Sequence, residues 1–172
     1  TSGGPARQLT TDGLEGARVQ QMWSPDGRFV LYASRRTGTS DLWTANVETG
    51  ELRQLTQDIR NDWAGTWSPD GHWVLFNSDR GAQQDLWVVA AEGGPARRVT
   101  NDVPQEGGTG WSPDGRAIVF VRRNVSMSVD AMATEGGAPR TLVAFDGYAA
   151  QDLVLSPDGR TLLLTSNRSA DW

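Results

Sequence analysis

The stretch that decides the fold is Trp23–Trp43, "WSPDGRFVLYASRRTGTSDLW". Its opening phrase returns, because "WSPDG" begins again at Trp67 and Trp111 and "LSPDG" begins at Leu155. Each marker follows the previous one by 44 residues. A beat of about 40–45 residues is what a four-stranded propeller blade needs.

The content of each unit fits a blade. After SPDG comes a short apolar run: "RFVLYAS", "HWVLFNS", "RAIVFVR" and "RTLLLTS". These β-branched and aromatic segments are too short for helices and read as buried strands. A polar loop follows, then "SDLWTAN" or "QDLWVVA", a third strand with Leu and Trp on opposite faces. Glycine-containing turns ("ETGE", "EGGP", "EGGAP") lead to a short fourth strand ending "RQLT", "RRVT" or "RTLV". The segment before each SPDG is the first strand of the next unit. No segment combines helical periodicity with caps.

SPDG itself has a mechanical reading. Proline at the second turn position presets φ, Ser or Asp accepts local backbone hydrogen bonds, and glycine takes the positive φ that follows. Trp23, Trp67 and Trp111, just ahead of it, are expected to pack between neighbouring blades.

Composition bounds the function. The 172 residues suffice for one domain with a real core, and 37% hydrophobic against 22% charged residues describes a globular chain. Eight tryptophans, twenty glycines and eight prolines suit short strands closely punctuated. A net charge of −5 argues against nucleic acid as a partner. Without cysteine there is no disulfide, zinc–thiolate site or thiol nucleophile, and the compartment is left open. No apolar run approaches the roughly 20 residues of a membrane span, so no membrane partner is expected.

The pattern WSPDG-x6-S-x-R-x-G-x-x-DLW…GG-x-x-R-x-LT resembles the TolB-type, WD40-like β-propeller repeat. That repeat occurs too in the propellers of tricorn-like and prolyl-oligopeptidase-like peptidases. The resemblance covers almost the whole chain and implies an all-β propeller, here four blades of four antiparallel strands within a single array over residues 1–172. It also implies protein–protein contacts and a periplasmic or otherwise extracytoplasmic home, with the cytoplasm not excluded. TolB-type propellers usually have six blades, and this chain carries four repeats.

The ends add an expectation. "TSGGPARQLT" (Thr1–Thr10) matches "AEGGPARRVT" (Ala91–Thr100), and "SNRSADW" resembles "SRRTGTSDLW". Residues 1–10 are therefore expected to supply the outer strand of the blade begun by residues 149–172. Three arrangements follow: a closed four-bladed ring, a homodimer making an eight-bladed ring, or an excerpt of a longer propeller. The dimer is the preferred expectation.

In such a blade the loop after strand four and the loop between strands two and three emerge on one face, opposite SPDG. That face collects Asp12, Asp58, Asp102 and Asp146, together with Arg36, Arg80, Arg123 and Arg168. They read either as a bracing network, with arginines paired to Asp41 or Asp85, or as a charged rim that receives a polypeptide or a small polar ligand. The third unit breaks the pattern, since Asp130 stands where the second has Trp87. Either Asp130 is exposed, or its strand has slipped by one residue.

Catalysis is hard to assemble. His72, the single histidine, follows an SPDG phrase and reads as a turn-edge surface residue. No G-x-S-x-G elbow, Walker loop or dinucleotide loop is present. Carboxylates abound, so composition does not exclude acid–base chemistry, but nothing singles out a pair. No calcium loop of the EF-hand kind is recognisable. The expectation is a non-catalytic binding or scaffold module for protein or peptide partners, without catalytic residues, cofactor or metal. The alternatives are the gating propeller of a serine peptidase whose catalytic domain lies elsewhere, and a propeller fragment or engineered repeat array without a function of its own.

Overall fold

The computed structural model describes residues 5–11, 22–81, 83–101, 106–123, 126–145 and 150–166. They form an all-β arrangement of consecutive antiparallel sheets. The first sheet contains β1 (Met22–Trp23), β2 (Phe29–Ser34), β3 (Asp41–Asn46) and β4 (Leu52–Gln54). The second contains β5 (Asp62–Trp67), β6 (Trp73–Ser78), β7 (Asp85–Ala90) and β8 (Arg97–Arg98). The third contains β9 (Glu106–Trp111), β10 (Ala117–Arg123), β11 (Met127–Ala133) and β12 (Arg140–Phe145). The last holds β13 (Ala150–Leu155) and β14 (Leu162–Ser166). Within each sheet strands pair in sequence order, so every contact is a hairpin and each sheet is one repeat.

The repeated phrase makes the first hairpin. Ser24 Oγ donates to Asp26 Oδ1 at 2.6 Å and accepts from Phe29 N at 2.9 Å, while Asp26 Oδ1 also accepts from Arg28 N. Gly27 closes the turn at φ 71°, a left-handed conformation that side chains with a Cβ rarely adopt. The same bonds recur around Asp70, Asp114 and Asp158. In all four turns the serine hydroxyl and the following backbone N–H hold the carboxyl below the usual aspartate range.

The tryptophans ahead of the turns join sheet to sheet. Trp67 Nε1 donates to Met22 O at 3.2 Å, and Trp111 Nε1 donates to Thr66 O at 3.3 Å. Around them lie the apolar seams. Leu31, Leu42 and Leu55 of the first sheet meet Trp67, Val74 and Phe76 of the second. Leu75, Leu86 and Val88 then meet Trp111, Ile118 and Phe120 of the third. Val121, Val129 and Phe145 meet Leu153 and the partly buried Leu155, which replaces the tryptophan. The second and third sheets thus bury both faces, which explains why their strands read as continuous apolar runs.

The small residues of the innermost strands have a packing cause. β5 is bulged at Ala64–Gly65, and a Cβ on Gly65 would sit 2.8 Å from Leu31 Cδ2. Ala64 takes φ 53°, the one non-glycine residue with positive φ among those described. Register shifts at the corresponding places in β9 and β13 repeat the bulge.

Among the described residues, two sheet faces have no neighbour covering them. Trp23 is 61% exposed, whereas Trp67 and Trp111, its equivalents, are each 8% exposed. At the other end Leu163 is 70% exposed, although Leu75 and Val119 at the same strand position are buried in seams. The expected strand exchange between residues 1–10 and 149–172 lies partly outside the described residues: residues 5–11 form no strand, and the last sheet as described holds β13 and β14. What is visible of the N-terminal segment is its Arg7, whose guanidinium donates to Val47 O and Glu48 O. Arg97 does the same to Thr134 O and Glu135 O of the third sheet.

Asp130 corrects both expectations for it. It is fully buried, and β11 has not slipped against β10: Phe120 faces Asp130 as Phe76 faces Trp87. The register shift lies on the other side, towards β12. Arg122, diagonally opposite on the same face, reaches Asp130 at 2.5 Å. An ion pair therefore occupies the place that an aromatic ring fills in the second sheet.

Candidate functional site

The loop face opposite SPDG is built from the turns after β2 and β6 and from the loop between β4 and β5. Its best-defined charged group is centred on Arg80. Nη2 of Arg80 lies 2.6 Å from Asp58 Oδ2 and 2.6 Å from Asp62 Oδ2, and Nε donates to Ser78 Oγ at 3.0 Å. Its guanidinium carbon lies 4.9 Å from the Trp87 ring centre and 5.3 Å from that of Phe76. A planar cation suits this place, because it stacks on the ring while its edge binds two carboxylates.

The buried acids at the strand ends each have a partner. Asp62 begins β5, and burial pushes its carboxyl above the usual range against the pull of the Ser78 and Thr56 hydroxyls and Arg80. Asp41 begins β3 and is raised by burial, with the Thr37 hydroxyl at 2.5 Å and Gln54 Nε2 at 3.1 Å pulling the other way. Asp85 begins β7 and pairs with Arg98 at 2.6 Å. For Arg80 the expected pairing with Asp85 is thus replaced. The fourth strand supplies partners for Asp41 and Asp85 (Gln54 and Arg98), and Arg80 turns instead to Asp58 and Asp62.

Of the eight rim residues, the structure brings Asp58 and Arg80 together. Arg36 is exposed and lies over the Trp43 ring at 4.8 Å, the counterpart of Arg80 over Trp87. Arg123 ends β10 and is exposed. Asp12, Asp102, Asp146 and Arg168 lie outside the described residues. Sequence reasoning passed over Asp62 and Asn61. Asp62 carried a signal, since Glu106 stands 44 residues later, but Asn61 carried none.

Chemically, the clamp is unsuited to acid–base work. Asp58 and Asp62 share one guanidinium, so neither is a free carboxylate poised beside a substrate. Among the described residues no group of three or more His, Cys, Asp or Glu side chains could hold a metal. His72 is exposed and lines an open cleft on the SPDG face with Arg28, Arg53, Trp73 and Glu92. Asp26 and Asp70 join Glu92 there, so the cleft carries no field of a single sign. Among the described residues no helix is long and apolar enough to cross a membrane.

The family model of the TolB beta propeller domain matches residues 6–171. The chain belongs to that family. The TolB-like repeat is shared with several solved structures. A putative TolB from Agrobacterium tumefaciens superposes with a TM-score of 0.80 at 26% identity, over 97% of this chain and 64% of that one. TolB from Acinetobacter baumannii gives 0.70 at 20% identity, over 92% of this chain and 45% of that one. A puromycin-hydrolyzing peptidase from Mycobacterium tuberculosis gives 0.68 at 18% identity, over 88% and 26%. These last two likenesses speak for the fold alone. The chain spans less than two thirds of each of these proteins, and no curated protein sequence matches it.

Proposed function

We propose that this TolB-like chain is a non-catalytic binding module whose loop face receives a protein or peptide partner. The observation that carries the reading is the Arg80 clamp. Charged groups that a catalytic site would need free are committed to fixing the shape of that face. A preorganised, charged, non-reactive surface suits recognition. Family membership supports an extracytoplasmic home for such a module.

The uncovered faces at Trp23 and Leu163 support a ring that continues beyond these four sheets. Four repeats over about two-thirds of the putative TolB leave room for about two more blades. Six-bladed completion therefore has more support than the eight-bladed homodimer. Sedimentation distinguishes them, because a stable dimer of this chain alone supports the eight-bladed ring and a monomer removes it.

The peptidase-type neighbour favours one second reading, a gating propeller for a catalytic domain on the same polypeptide. An α/β-hydrolase sequence encoded next to this segment would establish it. For the isolated chain both readings expect no turnover of peptide or ester substrates, and measurable hydrolysis abolished by a point substitution on the loop face overturns the non-catalytic assignment.

A further inference from the structure

Three arginines hold one place in the repeat. Arg7 and Arg53 each precede Gln-Leu-Thr, and Arg97 precedes Arg-Val-Thr. Arg7 donates to Val47 O and Glu48 O in the turn after β3, and Arg97 donates to Thr134 O and Glu135 O in the turn after β11. The matching turn of the second sheet is Ala91–Glu92. Ala91 N donates there to His72 O, just as Val47 N donates to Arg28 O and Thr134 N to Arg116 O. The repeat therefore places Arg53 to clamp this turn. It does not do so, and among the described residues its guanidinium makes no hydrogen bond or ion pair.

Where the clamp is open there is a cleft of 1070 Å³ between the first and second sheets, with Arg53, Ala91 and Glu92 in its lining. That is the upper end of the small-ligand range, with room for more than one ring. Arg28, His72 and Glu92 are exposed in it, and none of their side chains has a hydrogen bond or ion pair among the described residues. Trp73 adds a ring that is 43% exposed. The 44-residue beat puts Phe29, Ala117 and Thr161 at its position, so the hairpin does not require an indole there.

The charges in the cleft nearly cancel. Arg28 and Arg53 stand against Glu92, Asp26 and Asp70, and the last two each already accept from a serine hydroxyl and a turn N–H. Neither an anion nor a cation is favoured by such a field. A neutral ligand that carries donors and acceptors side by side is favoured. Adjacent hydroxyls on a sugar ring have that form, since their oxygens accept from the Arg53 fork while their protons go to Glu92 or to the turn carbonyls. The C–H face of the ring covers the Trp73 indole. A peptide offers its amides one at a time along an extended chain, whereas the free groups here are gathered round one ring.

We infer that the cleft between the first and second sheets binds an uncharged saccharide, held between Arg53 and the Ala91–Glu92 turn and stacked on Trp73. The site lies on the SPDG face, opposite the loop rim, and does not depend on the polypeptide-binding reading.

His72 is the single histidine of the chain, so its imidazole ring protons report on the cleft by NMR without ambiguity. The probes are cellotetraose, maltotetraose and N-acetylated chitotetraose, with tetragalacturonate and a capped Ser-Ala peptide of similar size as comparisons. At least one of the uncharged sugars is expected to move the His72 signal saturably, with little change on added salt, while the two comparisons leave it still. Trp73→Ala and Arg53→Ala, both at exposed side chains, should each weaken that response about tenfold. Arg97→Ala, which opens the equivalent clamp on the third sheet, should leave it unchanged. A His72 signal that no uncharged sugar moves overturns the site. So does an equal or stronger response to tetragalacturonate or to the peptide, or an Arg97→Ala loss as large as that of Arg53→Ala.

Discussion

Arg122 and Asp130 meet at 2.5 Å in the third sheet, where the second sheet stacks Arg80 on Trp87. The two solutions fill the same strand position, one with a ring beneath a cation and one with an anion beside it. Neither Asp130 oxygen makes an aligned hydrogen bond, so the pair is held by charge contact. Such a pair is costly to break from one side and cheap to replace from both.

Arg122→Met should therefore destabilise the chain by roughly 3–5 kcal/mol, leaving a buried carboxylate uncompensated. Adding Asp130→Leu to that variant should recover most of the loss. A double-mutant cycle by urea denaturation checks this, and additive losses would remove the pair from the account.

Much of the fold was legible because the repeat states it. The 44-residue beat placed the hairpins, and the alternation in "DLW" placed Leu42 in the seam. Asp130 was misread for a physical reason. Sequence showed an acid in an aromatic position, but the compensating Arg122 lies on the adjacent strand, where only the register brings it close. The candidate site was half legible. Asp58 and Arg80 were singled out, yet their link runs through the buried Asp62 and a Trp face, which spacing along the chain does not reveal.

The seams and the uncovered faces should respond differently to truncation. Trp67→Ala removes a buried ring and its bond to Met22 O, at a cost of about 3–5 kcal/mol. Trp23→Ala removes an exposed equivalent and should cost about 1 kcal/mol or less. Thermal unfolding of the two variants side by side is the measurement.

Gly65→Ala should cost about 1–3 kcal/mol, because the new methyl meets Leu31 at 2.8 Å and Leu42 at 3.3 Å. Gly110→Ala is the control. Its nearest neighbour, Leu153, would lie 3.7 Å away, at ordinary contact distance. Equal losses from both would point to strand propensity rather than seam packing.

Two sets of carboxylates give opposite pH dependence. The SPDG acids have depressed folded values, so their contribution is complete above the ordinary aspartate value near 3.8 and is lost as pH falls through the folded values below it. Asp62 is raised, so its contribution declines as pH rises from that ordinary value through the folded one. Asp62→Asn should therefore gain stability relative to the parent between acid and neutral pH, while Asp70→Asn should lose it. Melting temperatures across that range follow both, and parallel curves would contradict the burial effect at Asp62.

The central claim, that the loop face binds polypeptide without acting on it, is tested most directly by native mass spectrometry of the chain mixed with a library of random-sequence peptides. A saturable complex holding the peptide intact after prolonged incubation is the predicted result. Peptide fragments in the mixture, or the absence of any complex, would contradict it.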